Sequence, residues 1–303
     1  MTLNPLTWLE YAVSWVLVTF HALWSNIFPA DSGWAWGLAI VFLVILIRIM
    51  LIPLFVKQIK SQRNMQILQP KVKEIQKKHA GDRERQAKEL QALYKETGTN
   101  PLSSCLPIIA QAPIFFALFH VLQGIASSKP YGVMTDQLVE QARNAKIFGA
   151  PIYGTFTHRA ETENPTATLW VTSILILLMT VTTFLTQRQL IVKNSAPDNP
   201  MVQQQKILLY IFPVIFAISG INFPVGVLLY WFTTNVWTMG QQFYVIRNSP
   251  QAGTPAHEAY LKRQETKAIR KGQAPIESTE QNDVEPEKAT RQQPKKQPKK
   301  KRS

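Results

Sequence analysis

Trp34-Ala-Trp-Gly-Leu-Ala-Ile-Val-Phe-Leu-Val-Ile-Leu-Ile-Arg48-Ile-Met-Leu-Ile-Pro-Leu-Phe-Val56 decides the reading of this chain. The run is long enough to cross a bilayer as a helix, which takes about 20 apolar residues. Its only charge is Arg48, the first basic residue in the sequence. An arginine at the centre of such a helix costs about 2.5–3.5 kcal/mol on insertion scales. Lys57 follows nine residues later, or about 13 Å of helix, a long reach for snorkelling to the surface. The arginine is therefore expected to face a wet, lipid-flanked groove.

Outward from this stretch, apolar blocks alternate with charged ones, the pattern of a polytopic membrane protein. Residues 6–28 are apolar but carry Glu10, Ser14, Thr19, His21 and Ser25 among Trp8, Trp15 and Trp24. That mixture suits either a transmembrane helix or a helix lying in the interface. Further spans are predicted at about 102–123, 166–188, 207–221 and 224–246, the last two parted by a tight turn at Asn222-Phe-Pro224. Asn100-Pro101 reads as the cap and first turn of the second span. Residues 124–165 are charge-balanced, with one short helix expected near 135–148.

Residues 57–99 carry eleven Lys/Arg against five acids, with apolar positions at helical spacing and His-Ala-Gly-Asp at 79–82 as a turn. This predicts an antiparallel helical hairpin outside the membrane. Residues 248–303 are Pro- and Gln-rich and end in Pro-Lys-Lys-Gln-Pro-Lys-Lys-Lys-Arg. Such a composition buries no core, so a disordered basic tail is expected. The hairpin and tail hold most of the 33 basic residues behind the net charge of +14. Both are therefore placed in the cytoplasm, and an odd number of spans puts the N-terminus outside. Trp34, Trp36 and Trp170 then fall at the outer interface. With no basic leading region before Arg48, a cleaved secretory signal is not expected, and a bacterial plasma membrane is favoured over an organelle.

The sequence excludes several chemistries. One cysteine, Cys105, forms no internal disulfide or cysteine metal cluster. The five histidines lack metal-ligand spacing. There is no His-Glu-x-x-His, no Gly-x-Ser-x-Gly and no phosphate-cradling glycine loop, which disfavours a protease or an ATP-driven pump. What remains is polar lining. Trp231, Asn235, Thr238 and Gln242 share a face of the last span, flanked by Tyr230, Thr234 and Gln241. Thr172, Thr180, Thr183 and Gln187 share a face of the third span. Ser103, Ser104 and Gln111 are the polar members of the second. Either these groups knit helices together, for about 0.6 kcal/mol per bond, or they line a groove with Arg48. The basic tail suits either anionic lipid or ribosomal RNA. Cys105 reads as a small packing residue.

Two stretches carry a resemblance. Asn100-Pro-Leu-Ser-Ser-Cys-Leu-Pro-Ile-Ile-Ala-Gln-Ala-Pro-Ile-Phe-Phe-Ala-Leu-Phe119 resembles the second core helix of the YidC/Oxa/Alb membrane-protein insertases. Phe223-Pro-Val-Gly-Val-Leu-Leu-Tyr-Trp231, continuing to Asn235 and Gln241-Gln242, is similar to their last core helix. An arginine in the first core helix, then a proline and a basic hairpin, match as well. Ser104 departs from the pattern, which usually has Gly before the Cys.

The resemblance implies an all-α, polytopic membrane protein with a five-transmembrane-helix core over 34–247 and a cytoplasmic hairpin. Residues 1–33 would then hold an interfacial amphipathic helix on the outer side. It also implies the short form, without a large outer domain. The function implied is insertion and chaperoning of nascent membrane proteins, not enzymatic and without nucleotide, metal or other cofactor. The implied partners are the ribosome, the Sec translocon, signal-recognition components and anionic lipids, and no DNA. The groove residues would be Arg48, Gln111, Tyr230 and Trp231, joined by Thr183, Gln187, Thr234 and Asn235 from the polar faces. A solute transporter with the same lining, and an assembly scaffold with an inert groove, are the alternatives. The lack of inverted repeats counts against the transporter.

Overall fold

The computed structural model describes residues 6–99, 106–189, 191, 200–250 and 254–270. It is mostly helical. Helix α1 spans Thr7–Trp24, α2 Gly33–Met50, α3 Ile52–Ile67, α4 Gln69–Lys78 and α5 Arg83–Glu96. Then come α6 (Leu106–Ala126), α7 (Asp136–Asn144), α8 (Pro165–Arg188), α9 (Pro200–Gly220) and α10 (Val225–Asn248). Helix α11 covers Pro255–Arg270.

The 34–56 stretch is not one helix. It stops at Met50 and restarts at Ile52. Pro53 has no N–H to donate to the carbonyl of residue 49, so the ladder is interrupted there. Leu51 N still donates to Ile47 O at 3.1 Å, and Phe55 N restarts the ladder on Leu51 O at 3.0 Å. Arg48 therefore occupies the last turn of α2 rather than mid-helix. There the helix C-terminus presents partial negative charge to it.

Residues 57–67 continue α3, and the charged hairpin proper is α4 and α5. Asp82 caps α5 by accepting from Arg85 N at 2.9 Å. Glu89 reaches back to His79 Nε2 at 2.9 Å across the turn.

Helix α7 ends at Asn144, short of the expected 148. Lys146–Ile147 (β1) pairs antiparallel with Ala150–Pro151 (β2), a two-stranded exception to the all-α expectation. The turn uses positive φ at Phe148 (51°) and Gly149 (83°), which no helix accommodates. The tail departs from expectation as well, because Pro255–Arg270 is helical. Pro255 starts it, Glu258 lies in its first turn, and Lys267 and Arg270 lie in its last, all favourable to the helix dipole. Residues 271–303, expected to be disordered, lie outside the described residues, as do Asn100–Cys105.

In the compact unit running to Tyr260, α10 is the central post. It packs against α8 on one side and α2 and α6 on the other; α9 covers α8, and α1 covers α2 and α6. The main core joins Leu17, Trp36, Ile40, Leu43, Leu118, Val121, Ile125 and Val227, all below 2 % exposed. A second unit begins at Leu261; its described part, to Arg270, is helical.

Helix α1 buries polar side chains beside apolar ones: Glu10, Ser14 and His21 lie on the same inward face as Val13 and Leu17. Trp8 and Trp15 are 68 % and 61 % exposed. Glu10 Oε1 lies 2.9 Å from His120 Nδ1 on α6, and Ser14 Oγ accepts from Val133 N at 2.9 Å. Buried polar groups need such partners.

Candidate functional site: a cavity around Arg48

Three helices bring the site together. The last turn of α2 supplies Arg48. Helix α6 supplies Gln111, Ala112, Phe115 and Phe116, and α10 supplies Tyr230, Trp231 and Thr234. They enclose an open cavity of about 300 Å³. At about 30 Å³ per water, that volume admits about ten molecules. Arg48 is half-buried, and no ion pair among the described residues includes it. The Tyr230 side chain, only 6 % exposed, lies within electrostatic range of Arg48 and beside Gln111. Thr234, whose Oγ1 is buried, lies beside the Tyr230 side chain as well. A smaller space of about 30 Å³ is bounded by Arg48, Leu51, Leu54, Phe55, Gln111 and Gln241.

Aromatic rings form the outer wall. Trp231 packs edge-on against Phe216 (4.7 Å between centroids) and Phe115 (5.5 Å), and stacks on Phe223 (5.8 Å). Phe223 in turn meets Phe119 at 6.0 Å. Beyond the rings, the start of α10 is tied to the 124–165 segment. Val225 N donates to Gly154 O at 2.9 Å and Gly226 N to Ile152 O at 3.0 Å. These bonds satisfy amides that a helix N-terminus leaves open. A Cβ on Gly226 would lie 2.9 Å from Ile152 Cγ2, so a glycine is required for this close approach. The start of α10 is thus fastened to that segment.

Of the sequence-derived candidates, Arg48, Gln111, Tyr230, Trp231 and Thr234 come together. Thr183 and Asn235 do not line the cavity. They bind each other, Asn235 Nδ2 donating to Thr183 Oγ1 at 2.8 Å and to Met179 O at 3.3 Å, and so lock α10 to α8. Gln187 lies apart too, its Oε1 buried without a partner. Sequence reasoning missed Phe115 and Phe116. Phe115 sits four residues after Gln111 and Phe116 four after Ala112, the spacing that puts side chains on one helical face, and that signal could have found them. No group of His, Cys, Asp or Glu suited to a metal occurs among the described residues.

Residues 27–252 match the family described as 60Kd inner membrane protein. The chain belongs to that family. It is 58 % identical to the membrane protein insertase YidC of Streptomyces avermitilis over 267 residues, covering 86 % of this chain and 62 % of that protein. The Mycobacterium tuberculosis protein of the same name is 34 % identical over 294 residues, 89 % of this chain and 79 % of the relative. That of Tropheryma whipplei is 36 % identical over 276 residues, 86 % of this chain and 89 % of the relative. A crystal structure described as an active YidC insertase with its first transmembrane domain resolved aligns with a TM-score of 0.50 at 23 % identity. It covers 78 % of this chain and 47 % of that one, a likeness of fold. This chain spans less than two thirds of the Streptomyces relative and about half of the solved one. The insertase resemblance read from the 100–119 and 223–231 motifs is borne out. Every cavity residue falls inside the stretch shared with the 60Kd inner membrane protein family.

Proposed function

We propose that this chain is a membrane-protein insertase of the bacterial inner membrane, with α2, α6, α8, α9 and α10 as its five spans. Two of these, α2 and α8, are long and apolar enough to cross by composition alone. The apolar parts of α6 and α9 are shorter, and α10 is diluted by Thr, Asn and Gln. Even so, the 24 residues of α10 reach about 36 Å at 1.5 Å per residue, enough to span the hydrocarbon core. In this reading the basic α4–α5 hairpin lies in the cytoplasm, as the positive-inside rule favours. The 124–165 segment then faces outward. Helix α1, with its aromatic residues exposed and polar ones inward, lies at the outer interface.

The observation that carries the function is half-buried Arg48, in no ion pair among the described residues, lining an open cavity large enough for several waters. In this mechanism a short hydrophilic end of a nascent protein moves part-way across. Water and Arg48 reduce the cost of desolvating its charge. Gln111 and Tyr230 offer hydrogen bonds, and the rings at 115, 116 and 231 meet its apolar portion. Burial of the substrate helix in lipid drives the reaction without ATP. The membrane potential adds about 2.3 kcal/mol per charge per 100 mV for acidic ends moving outward. The ribosome, Sec translocon, signal-recognition components and anionic lipids are the partners this reading brings with it.

The test uses the full chain in vesicles without nucleotide, scoring insertion of a small single-span protein with an acidic end by protease protection. Arg48→Ala should lower the initial rate on the order of tenfold, the equivalent of about 1.4 kcal/mol, while Arg48→Lys keeps most of it. Full activity of Arg48→Ala would leave the groove inert, as in a scaffold. Solute flux without insertion would make the chain a transporter.

A further inference from the structure

A second groove lies beside the cavity, between α3 and α10. Its α3 wall is Ile52, Phe55, Val56 and Ile59; its α10 wall includes Val236, Trp237, Gly240 and Tyr244. It encloses about 450 Å³. Ile52, Val56, Val236 and Tyr244 are 41–68 % exposed, a contiguous apolar patch of the kind that marks a binding surface. Gly240 opens into it, because a Cβ there would meet nothing within 4 Å.

We propose that this groove binds one acyl chain of an anionic phospholipid, with the headgroup at its basic end. Three observations select this occupant. The first is size. A helix about 10 Å wide rising 1.5 Å per residue fills about 120 Å³ per residue, so the groove holds fewer than about four helical residues. A single flexible hydrocarbon chain fits where a helix does not.

The second is charge. Both walls carry a basic residue. The α3 wall at 52, 56 and 59 carries exposed Lys57 on its flank. The α10 face at 237, 240 and 244 continues to Arg247. Basic residues at the membrane surface attract anionic headgroups. The third is the rim. Trp237 and Tyr244 are the amphipathic aromatics found at headgroup level. Trp237 Nε1 is already satisfied by Gln241 Oε1 at 3.1 Å, so the indole leaves no bare donor in the apolar space.

The groove also touches the Arg48 site. Phe55 and Gln241 line both the groove and the small space bounded by Arg48, and so form the partition between them. A bound acyl chain braces that partition from the lipid side. The inference rests on reading α10 as a membrane span.

The experiment uses the full chain in phosphatidylcholine vesicles carrying phosphatidylglycerol with a photoreactive diazirine on its acyl chain, and adducts are mapped by peptide. Labelling should concentrate on 52–59 and 236–245 above the lipid-facing surface of α9. Gly240→Phe, which fills the groove, should remove that excess while leaving labelling of α9 unchanged. Lys57→Gln should lower it roughly fivefold, and diazirine phosphatidylcholine should show no such dependence. Labelling spread evenly over all lipid-facing helices, or unchanged in Gly240→Phe, overturns the groove. Adducts to a nascent transmembrane helix in place of lipid overturn it in favour of a protein occupant. Absence of label from every helix, α8 and α9 included, overturns instead the membrane reading on which it rests.

Discussion

Arg48 shows how the price of one buried cation is divided among its surroundings. About 2.5–3.5 kcal/mol is set against it at a helix centre. Its place in the last turn of α2, created by the break before Pro53, returns about 0.3–1 kcal/mol from the helix dipole. In the proposed mechanism, solvent in the adjoining cavity supplies the rest. Thr183 and Asn235 are a different kind of polar pair. Their 2.8 Å bond joins two helices and faces no cavity. Asn235→Ala should therefore cost stability, about 0.6 and at most about 1.7 kcal/mol, read as a lower unfolding temperature in detergent. Adding Thr183→Val should cost little more, since the shared bond is already gone.

At the scale of elements, α2 is positioned by close approach at its start. A Cβ on Gly33 would collide with the Lys146 carbonyl and lie 2.8 Å from Ile147 N, backbone atoms that cannot swing aside. Gly33→Ala should destabilise the fold by about 1–3 kcal/mol, as overpacking does. Gly81, in the α4–α5 turn, has nothing within 4 Å of an added Cβ and no positive φ. Gly81→Ala should be neutral or stabilising by up to about 1 kcal/mol. Thermal unfolding of the two variants side by side checks both.

The same elements show what the sequence could carry. Helices α2, α6, α8, α9 and α10 were visible as apolar blocks because their exposed residues are apolar as well as their buried ones, which leaves a long signal. Arg48, Tyr230 and Trp231 stood out because they interrupt it. Helical period also grouped Thr183 with Gln187 and Asn235 with Trp231, but period assigns a face without saying what the face meets. The Glu10–His120 contact joins residues 110 positions apart, and no local pattern encodes that. The strand pair at 146–151 hangs on the φ of Phe148 and Gly149. Helix α11 was hidden because its polar composition resembles that of the residues after it.

For the unit running to Tyr260, α10 organises the whole. One side is joined to α8 by Asn235, its start is fastened to Ile152 and Gly154, and Tyr230, Trp231 and Thr234 meet the cavity that Arg48 lines. The central claim is that a substrate segment enters that cavity beside Arg48. Photocrosslinking from residues 231 and 111 to a stalled nascent membrane protein tests it most directly, with a probe on exposed Tyr210 of α9 as the lipid-facing control. Adducts from 231 and 111, with Arg48→Ala weakening them and position 210 nearly silent, are the predicted result. Adducts at 210 alone, with none from either cavity position, would contradict it.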